Sequence, residues 1–283
     1  MAKKIVLVVH GGVFHADDVY SAALMCGIAI QRHADFEVLR RNNTDKELSG
    51  IPESDDETEV IIADIGRGKF DHHQENAEVR PDGAKYAAFG LLFREFGSEL
   101  MPDADERAKF DKEFIEPMDL TDNFGQAKYP NERSLDVSAF NSDDPSDMDA
   151  QLERFNTAVT VAYTILYYRI HMANKLGEQI KAAKELGHDA IVVTLDDNTG
   201  HIPAYLFKDV TPTKFIVEKS LRGGYSMTSV DSSKWPISLD DMTDEVKKEC
   251  TFVHPSHFMA SFKTIEIAQK AAEELALREE LKK

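Results

Sequence analysis

Two short apolar runs, residues 5–9 and 60–63, each end on a group that an apolar core cannot hold: His10 and Asp64. Runs of this length, bounded by glycine or by a polar loop, read as buried strands. Helical spacing separates them. Residues 17–32 carry Val19, Ala22, Ala23, Cys26 and Ile30 near one face, and 36–39 is a further short strand. Strands that alternate with helices form a parallel sheet with right-handed crossovers, and polar groups then gather at the carboxyl ends of the strands. The chain is therefore constrained to an α/β fold with a site at the ends of its first strands.

Further along, the pattern predicts helices over 85–96, stopped by Gly97, and over 106–116, stopped by Pro117. A polar loop follows over 124–145. Except for Gly177 almost nothing breaks a helix between 148 and 186, where Val159, Ala162, Tyr163, Leu166, Ile170 and Ala173 can share a face. This stretch reads as one long helix or a kinked pair. Short strands are expected over 190–195, 205–207, 214–218 and 225–229, and a closing helix over 265–281. The expected organisation is a parallel-sheet N-terminal domain over 1–147, a long helical connector over 148–187, and a smaller α/β C-terminal domain over 188–283.

Composition narrows the partners. The 283 residues carry a net charge of −18, which disfavours long duplex DNA, since binding there rests on cations that release counterions. Acidic runs at 53–59 and 143–149 read as solvated surface. No stretch reaches the roughly 20 apolar residues of a membrane span. Only Cys26 and Cys250 are present, with no disulfide framework, so a reducing cytoplasm is the expected location. The sequence is compatible with oligomerisation.

The chemistry concentrates in His10-Gly-Gly-Val-Phe-His15-Ala-Asp17-Asp18, Asp64 and Asp71-His72-His73. A lone histidine reads as an ordinary surface residue. Three candidate ligands within eight positions at a strand end, joined by two further clusters, read as a metal site. Carboxylates mixed with imidazoles, without thiolates, suit Mn²⁺, Mg²⁺, Fe²⁺ or Co²⁺ better than structural zinc. Two such ions about 3.5–4 Å apart, bridged by a carboxylate, activate water and hold a phosphoryl oxygen. Asp18 reads either as an outer acid or as a carboxylate at a helix N-terminus, and Asp71 as a group orienting an imidazole. In the second half, Arg222-Gly223-Gly224 offers a guanidinium and close backbone N–H groups to a phosphate, or else is a hairpin turn. His254, Ser256 and Lys263 are further candidates for phosphate contact.

These motifs resemble the DHH phosphoesterase superfamily, which includes manganese pyrophosphatases, single-strand exonucleases and oligonucleotide phosphodiesterases. The N-terminal loop, Ala63-Asp64-Ile65-Gly66, Asp71-His72-His73-Gln74, Phe89-Gly90-Leu91, Asp119-Leu-Thr-Asp122-Asn123 and residues 252–258 resemble one branch. That branch is the melanocyte-proliferating-gene-1 family of metal-dependent RNA exonucleases. The resemblance implies that His10, His15, Asp17, Asp64, His72 and Asp122 bind metal, with Asp119 the alternative to Asp122. It implies that His73 faces the scissile phosphate, supported by Asp71, and that the second domain clamps substrate. The expected activity is hydrolysis of RNA or short oligonucleotides from the 3′ end with two Mn²⁺, or Mg²⁺ or Co²⁺ in their place. The alternatives are a phosphohydrolase for pyrophosphate, a nucleotide or a dinucleotide, and a catalytically silent oligonucleotide-binding module.

Overall fold

The structure, a computed structural model, describes residues 3–125, 128 and 136–277. It comprises two compact units, residues 1–174 and 175–283. In the first, β1 (Lys4–His10) runs between β2 (Asp35–Arg41) and β3 (Thr58–Ile62), all parallel, in the order β2-β1-β3. Helix α1 (Ala16–Arg32) makes the crossover from β1 to β2, and the short α2 (Asp45–Leu48) follows β2. Side chains Ile5 to Val9 are at most 3% exposed. At about 1.5–3 kcal/mol per buried large apolar side chain, this strand holds His10 at a fixed point.

Helices α3 (Ala88–Leu100), α4 (Ala104–Phe110), α5 (Glu116–Phe124) and α6 (Met148–Gly187) complete the elements. Through Phe89, Phe93, Phe110, Met118, Phe155, Ala162 and Leu166 they contribute to the same core as β1 and α1. Two expected helix stops do not act as stops. Gly97 lies inside α3 because a Cβ there would meet the Phe93 ring at 2.9 Å, so the glycine serves packing. Pro117 lies in the first turn of α5, entered through a π-helical turn at Asp111–Ile115, where a missing N–H costs little. Ile30, expected on the apolar face of α1, is 56% exposed.

The second unit carries a five-stranded sheet: β4 (Val192–Thr194), β5 (Phe215–Lys219), β6 (Tyr225–Ser229), β7 (Cys250–Val253) and β8 (Met259–Phe262), in the order β4-β5-β6-β8-β7. Only the β4–β5 pair is parallel. One face, with Phe215, Val217, Met227, Ala260 and Phe262, packs on α7 (Asp244–Glu249) and α8 (Ile265–Ala276). Residues 204–207 form a 3₁₀ turn rather than the expected strand, burying Phe207 completely. The final helix is described to Ala276, and residues 278–281 of the expected element lie outside the described residues. Part of the polar loop at 124–145 also lies outside them, and Val137–Phe140 forms a 3₁₀ turn there. Among the described residues no helix is long and apolar enough to cross a membrane.

Candidate metal centre

β1 lies between β2 and β3, all parallel, so the loops after β1 and β3 leave adjacent carboxyl ends, where sheets of this kind form their sites. His10 and Asp64 stand there with His10 Nε2 3.2 Å from Asp64 Oδ2. Asp64 takes a left-handed backbone conformation, φ 57°, which Asp tolerates better than most residues. His15 occupies the N-cap position of α1, and Asp17 and Asp18 form its first turn. His72 comes in on the loop after β3, and Asp122 and Asn123 come from the last turn of α5. A cavity of about 290 Å³ is lined by His10, His15, Asp64, His72, His73, Asp122 and Asn123.

The ring orientations are set from behind. His10 donates Nδ1–H to the Gly11 carbonyl, 2.9 Å away, which turns Nε2 toward Asp18 Oδ2 at 2.8 Å. Asn123 donates its amide to the Tyr86 and Asp119 carbonyls. Its Oδ1 therefore accepts from His72 Nδ1 at 3.3 Å, and His72 Nε2 faces Asp64 Oδ1 at 3.0 Å and Asp122 Oδ2 at 3.3 Å. In this way a partner on one ring nitrogen fixes which nitrogen is free to ligate. His73 is 60% exposed at its side chain, and its Nδ1 lies 2.8 Å from Asp71 Oδ1. Asp71 also accepts the backbone N–H groups of Arg67 and His73. It is 3% exposed and is not among the residues that line the cavity.

The carboxylates test whether metal fits. Among the described residues Asp17, 1% exposed, makes no hydrogen bond through either oxygen, with His72 Nε2 3.8 Å from its Oδ2, and Asp18 Oδ1 makes none. Burial, then the charges of Asp64, Asp122 and Asp18, push Asp17 well above the usual carboxylate range. Burial likewise raises Asp64 to about 6, against the opposing effect of His72. Burial alone would lower His10, but the hydrogen bond and charge of Asp18, with Gly11 and Asp64, raise it to about 9. A buried carboxylate without a partner costs several kcal/mol, and a divalent cation is the compensation this donor set suits. Ligand atoms of His10, His15 and Asp18, of Asp64, His72 and His73, of His15, Asp17 and Asp122, and of Asp17, Asp18 and Asp64 each gather within 4.8 Å.

The sequence profile of the family described as "MYG1_exonuc: Uncharacterised protein family (UPF0160)" matches residues 6–202. The chain belongs to this family. No curated protein matches it. Among solved structures it is similar to RecJ in complex with Mg²⁺ from Thermus thermophilus, at 13% identity and a TM-score of 0.29, over 99% of this chain and 51% of that one. It is also similar to an uncharacterized protein from Helicobacter pylori, at 11% identity and a TM-score of 0.23, over 96% of this chain and 99% of that one. The chain thus spans about half the length of the RecJ chain, and at such TM-scores neither likeness bears on function.

Every member of the cluster lies inside the MYG1_exonuc match. Three of its residues carried no decisive signal in sequence. Asp18 both caps α1, through the His15 N–H, and faces His10. Asn123 orients His72. Arg40, 9% exposed, donates to the Gly12 carbonyl and lies 5.2 and 4.7 Å from the ring centres of Phe14 and Phe155, bracing the loop that carries His15. Of the two α5 acids, Asp122 lines the cavity, whereas Asp119 is fully buried and bound by Arg80 Nη2 at 2.7 Å and by the Gly90 N–H.

The six phosphate-contact candidates lie beyond the MYG1_exonuc match and are only partly gathered. Arg222, Gly223 and His254 line a groove of about 1210 Å³ in the second unit. Gly224, Ser256 and Lys263 do not. Lys263 pairs with Glu249 at 3.2 Å, and the Ser256 N–H donates to His254 Nδ1. A Cβ on Gly224 would overlap the Phe262 carbonyl oxygen. The Gly223-Gly224 pair makes the turn from β5 to β6, closed by Gly223 N–H to Ser220 O at 3.1 Å.

Proposed function

We propose that this member of the MYG1_exonuc family is a metal-dependent phosphodiesterase that removes nucleotides from the 3′ end of RNA or of short single-stranded oligonucleotides. One observation carries the reading: the buried carboxylate of Asp17, which makes no hydrogen bond among the described residues, within a ring of carboxylates and oriented imidazoles. His10, His15, Asp17, Asp18, Asp64, His72 and Asp122 are the residues to hold metal, and overlapping ligand sets that share Asp17, Asp18, Asp64 and His15 favour two ions over one. When bound, Mn²⁺, or Mg²⁺ or Co²⁺ in its place, supplies Lewis acidity and a water of lowered pKa.

The chain's own groups do the rest. Asp71 takes the Nδ1–H of His73 and leaves Nε2 toward the cavity side. In its imidazolium form His73 donates there to a phosphoryl oxygen or to the leaving oxygen. Asn123 and the Gly11 carbonyl keep the His72 and His10 rings from turning. Free Cys26 and Cys250 suit a reducing cytoplasm. The small cavity also suits pyrophosphate, which makes a small-molecule phosphohydrolase the second reading.

The test is a panel of metal-stripped protein with Mn²⁺, Mg²⁺, Co²⁺ or Zn²⁺ added back, on end-labelled single-stranded RNA and DNA, a dinucleotide and pyrophosphate. Shortening of 5′-labelled RNA with release of mononucleotides is the expected result. Turnover of pyrophosphate alone selects the second reading. Oligonucleotide binding without any turnover makes the protein a silent binding module.

A further inference from the structure

Helix α6 buries one face and leaves an uncharged one in water. Gln151, Phe155, Ala158, Ala162, Leu166 and Ile170 are at most 4% exposed. The opposite side carries Glu153, Thr157, Thr160, Thr164, Tyr167 and His171, all of them exposed. Their spacing alternates between four and three residues, the repeat by which one helix packs along another. A helix face open to water normally carries charge. Here no residue between Arg154 and Arg169 is charged, and from Arg154 to Gly177 there is no acid, in a chain that holds 51.

The threonines of this strip are less polar than their type. Each spends its hydroxyl on the carbonyl four residues back: Thr157 on Glu153 at 3.1 Å, Thr160 on Asn156 at 2.9 Å and Thr164 on Thr160 at 3.0 Å. With the donor used, what remains for a neighbour is chiefly the γ-methyl group. Beside them Tyr167 and Tyr168 are 54% and 62% exposed. Tyr167 stacks on Tyr163 with ring centres 5.7 Å apart, so its ring is already held and loses little freedom against a partner. A contiguous strip of this kind marks a contact surface.

Self-complementarity selects the occupant, because the spacing reads the same in both directions. Laid antiparallel on its own copy about residue 162, the strip sets Thr160 against the partner's Thr164, Thr157 against the partner's Tyr167 and Glu153 against the partner's His171. The central layer is small, which lets two helix axes approach to about 8 Å. Tyrosines then close over threonine methyls on either side, and an acid meets an imidazole at each end. Alongside, Arg154 falls against the partner's Tyr168, whose ring face suits a guanidinium. A parallel pair would set Glu153 on Glu153 and Arg154 on Arg154. The net charge of −18 makes two copies repel one another over most of their surface, and this strip is where no acid stands in the way. Nucleic acid fits it poorly, since threonine methyls offer a phosphate no donor.

We propose that α6 is a dimerisation helix, through which two copies of this chain join antiparallel about residue 162 in a two-fold interface. The proposal is independent of the nuclease reading. A single helix pair over about 27 Å lies at the low end of stable interfaces, which puts the dissociation constant in the micromolar range.

The test is sedimentation velocity of the whole chain over about 1–100 µM, a range that brackets such a constant. Monomer should pass to dimer across it, and association should tighten as salt screens the net charge. Thr164→Glu puts a good helix former at an exposed position, so thermal unfolding of the dilute monomer should be unchanged. A like charge in the central layers should weaken association by about tenfold or more. Thr164→Val keeps the methyl and drops the spent hydroxyl, and should associate at least as tightly as the wild type. Cross-linking reads the register. In a mixture of Thr160→Cys and Thr164→Cys chains, a short bismaleimide should join unlike variants in preference to like ones. The unaltered chain, whose Cys26 and Cys250 are free, is the blank. A wild type that stays monomeric throughout, association untouched by Thr164→Glu, or preferential joining of Thr160→Cys to itself overturns the proposal. A monomer that Thr164→Glu destabilises also overturns it, assigning the strip to another segment of the same chain. Association that salt dissolves is held by ion pairs elsewhere, and overturns it too.

Discussion

His10 and Asp64, together with Asp17, carry the protonation cost of the metal-free site. His10 is raised to about 9, where burial opposes and the Asp18 hydrogen bond prevails, and Asp64 is raised to about 6, chiefly by burial. Both groups hold protons more tightly folded than unfolded, and stability falls with pH wherever the folded state binds more protons. The Asp64 penalty grows from about pH 4 to 6, and the His10 contribution, full below about 6.5, is lost as pH rises through 9. Metal-stripped protein should therefore melt at a lower temperature at pH 9 than at pH 6. Saturating Mn²⁺ should narrow or reverse the difference, since ligation needs the deprotonated forms. A melting temperature of the stripped protein that rises over this range would remove these two groups from control. The adjacent rings also separate. His72→Ala should lower metal content, whereas His73→Ala should keep metal and slow turnover by about 10²-fold, the scale of one lost transition-state donor. Equal metal loss in both variants would mean that both rings ligate. Asp18 was ambiguous in sequence for a physical reason: an acid in the first turn of a helix has a role there whether or not metal is near.

At the scale of elements, α3 and α5 position Asp122 and Asn123 through Gly90. A Cβ there would overlap Asp119 Oδ2 and lie 2.9 Å from Arg80 Nη2, so the glycine admits the carboxylate to the start of α3. Gly90→Ala should destabilise by about 1–3 kcal/mol, the usual cost of overpacking. In thermal unfolding this should appear as a fall of several degrees, with a matching loss of metal affinity as Asn123 shifts. A variant that melts and binds metal like the wild type would show that the junction has slack. Strong periodicity made α1, α6 and the first three strands legible in sequence. Strands β7 and β8 were not legible: each has four residues, and Phe252 points to the open face. Residues 205–207 look like a strand because Phe207 is apolar, yet it is tertiary packing that buries it, within a turn.

For the molecule as a whole, the candidate metal centre is easier to pick out in sequence than the groove of the second unit because its residues lie at ends of elements that composition and period define. Arg222, Gly224 and Lys263 had only residue type to recommend them, and Gly224 and Lys263 turn out to serve a close backbone approach and a local ion pair. Under the proposed function, four carboxylates and three imidazoles, distant in sequence, form one two-ion hydrolytic site. A single titration checks this: Mn²⁺ added to the metal-stripped protein, with ions bound and mononucleotides released from single-stranded RNA measured in the same samples, for wild type and for Asp64→Asn. Asn suits the left-handed conformation at this position, so a loss in the variant reports the missing charge. A two-ion site predicts up to two ions in the wild type, turnover that rises with the second, and loss of both in the variant. Tight binding of two ions by Asp64→Asn, or two ions bound by the wild type with no phosphodiester cleaved, would contradict it.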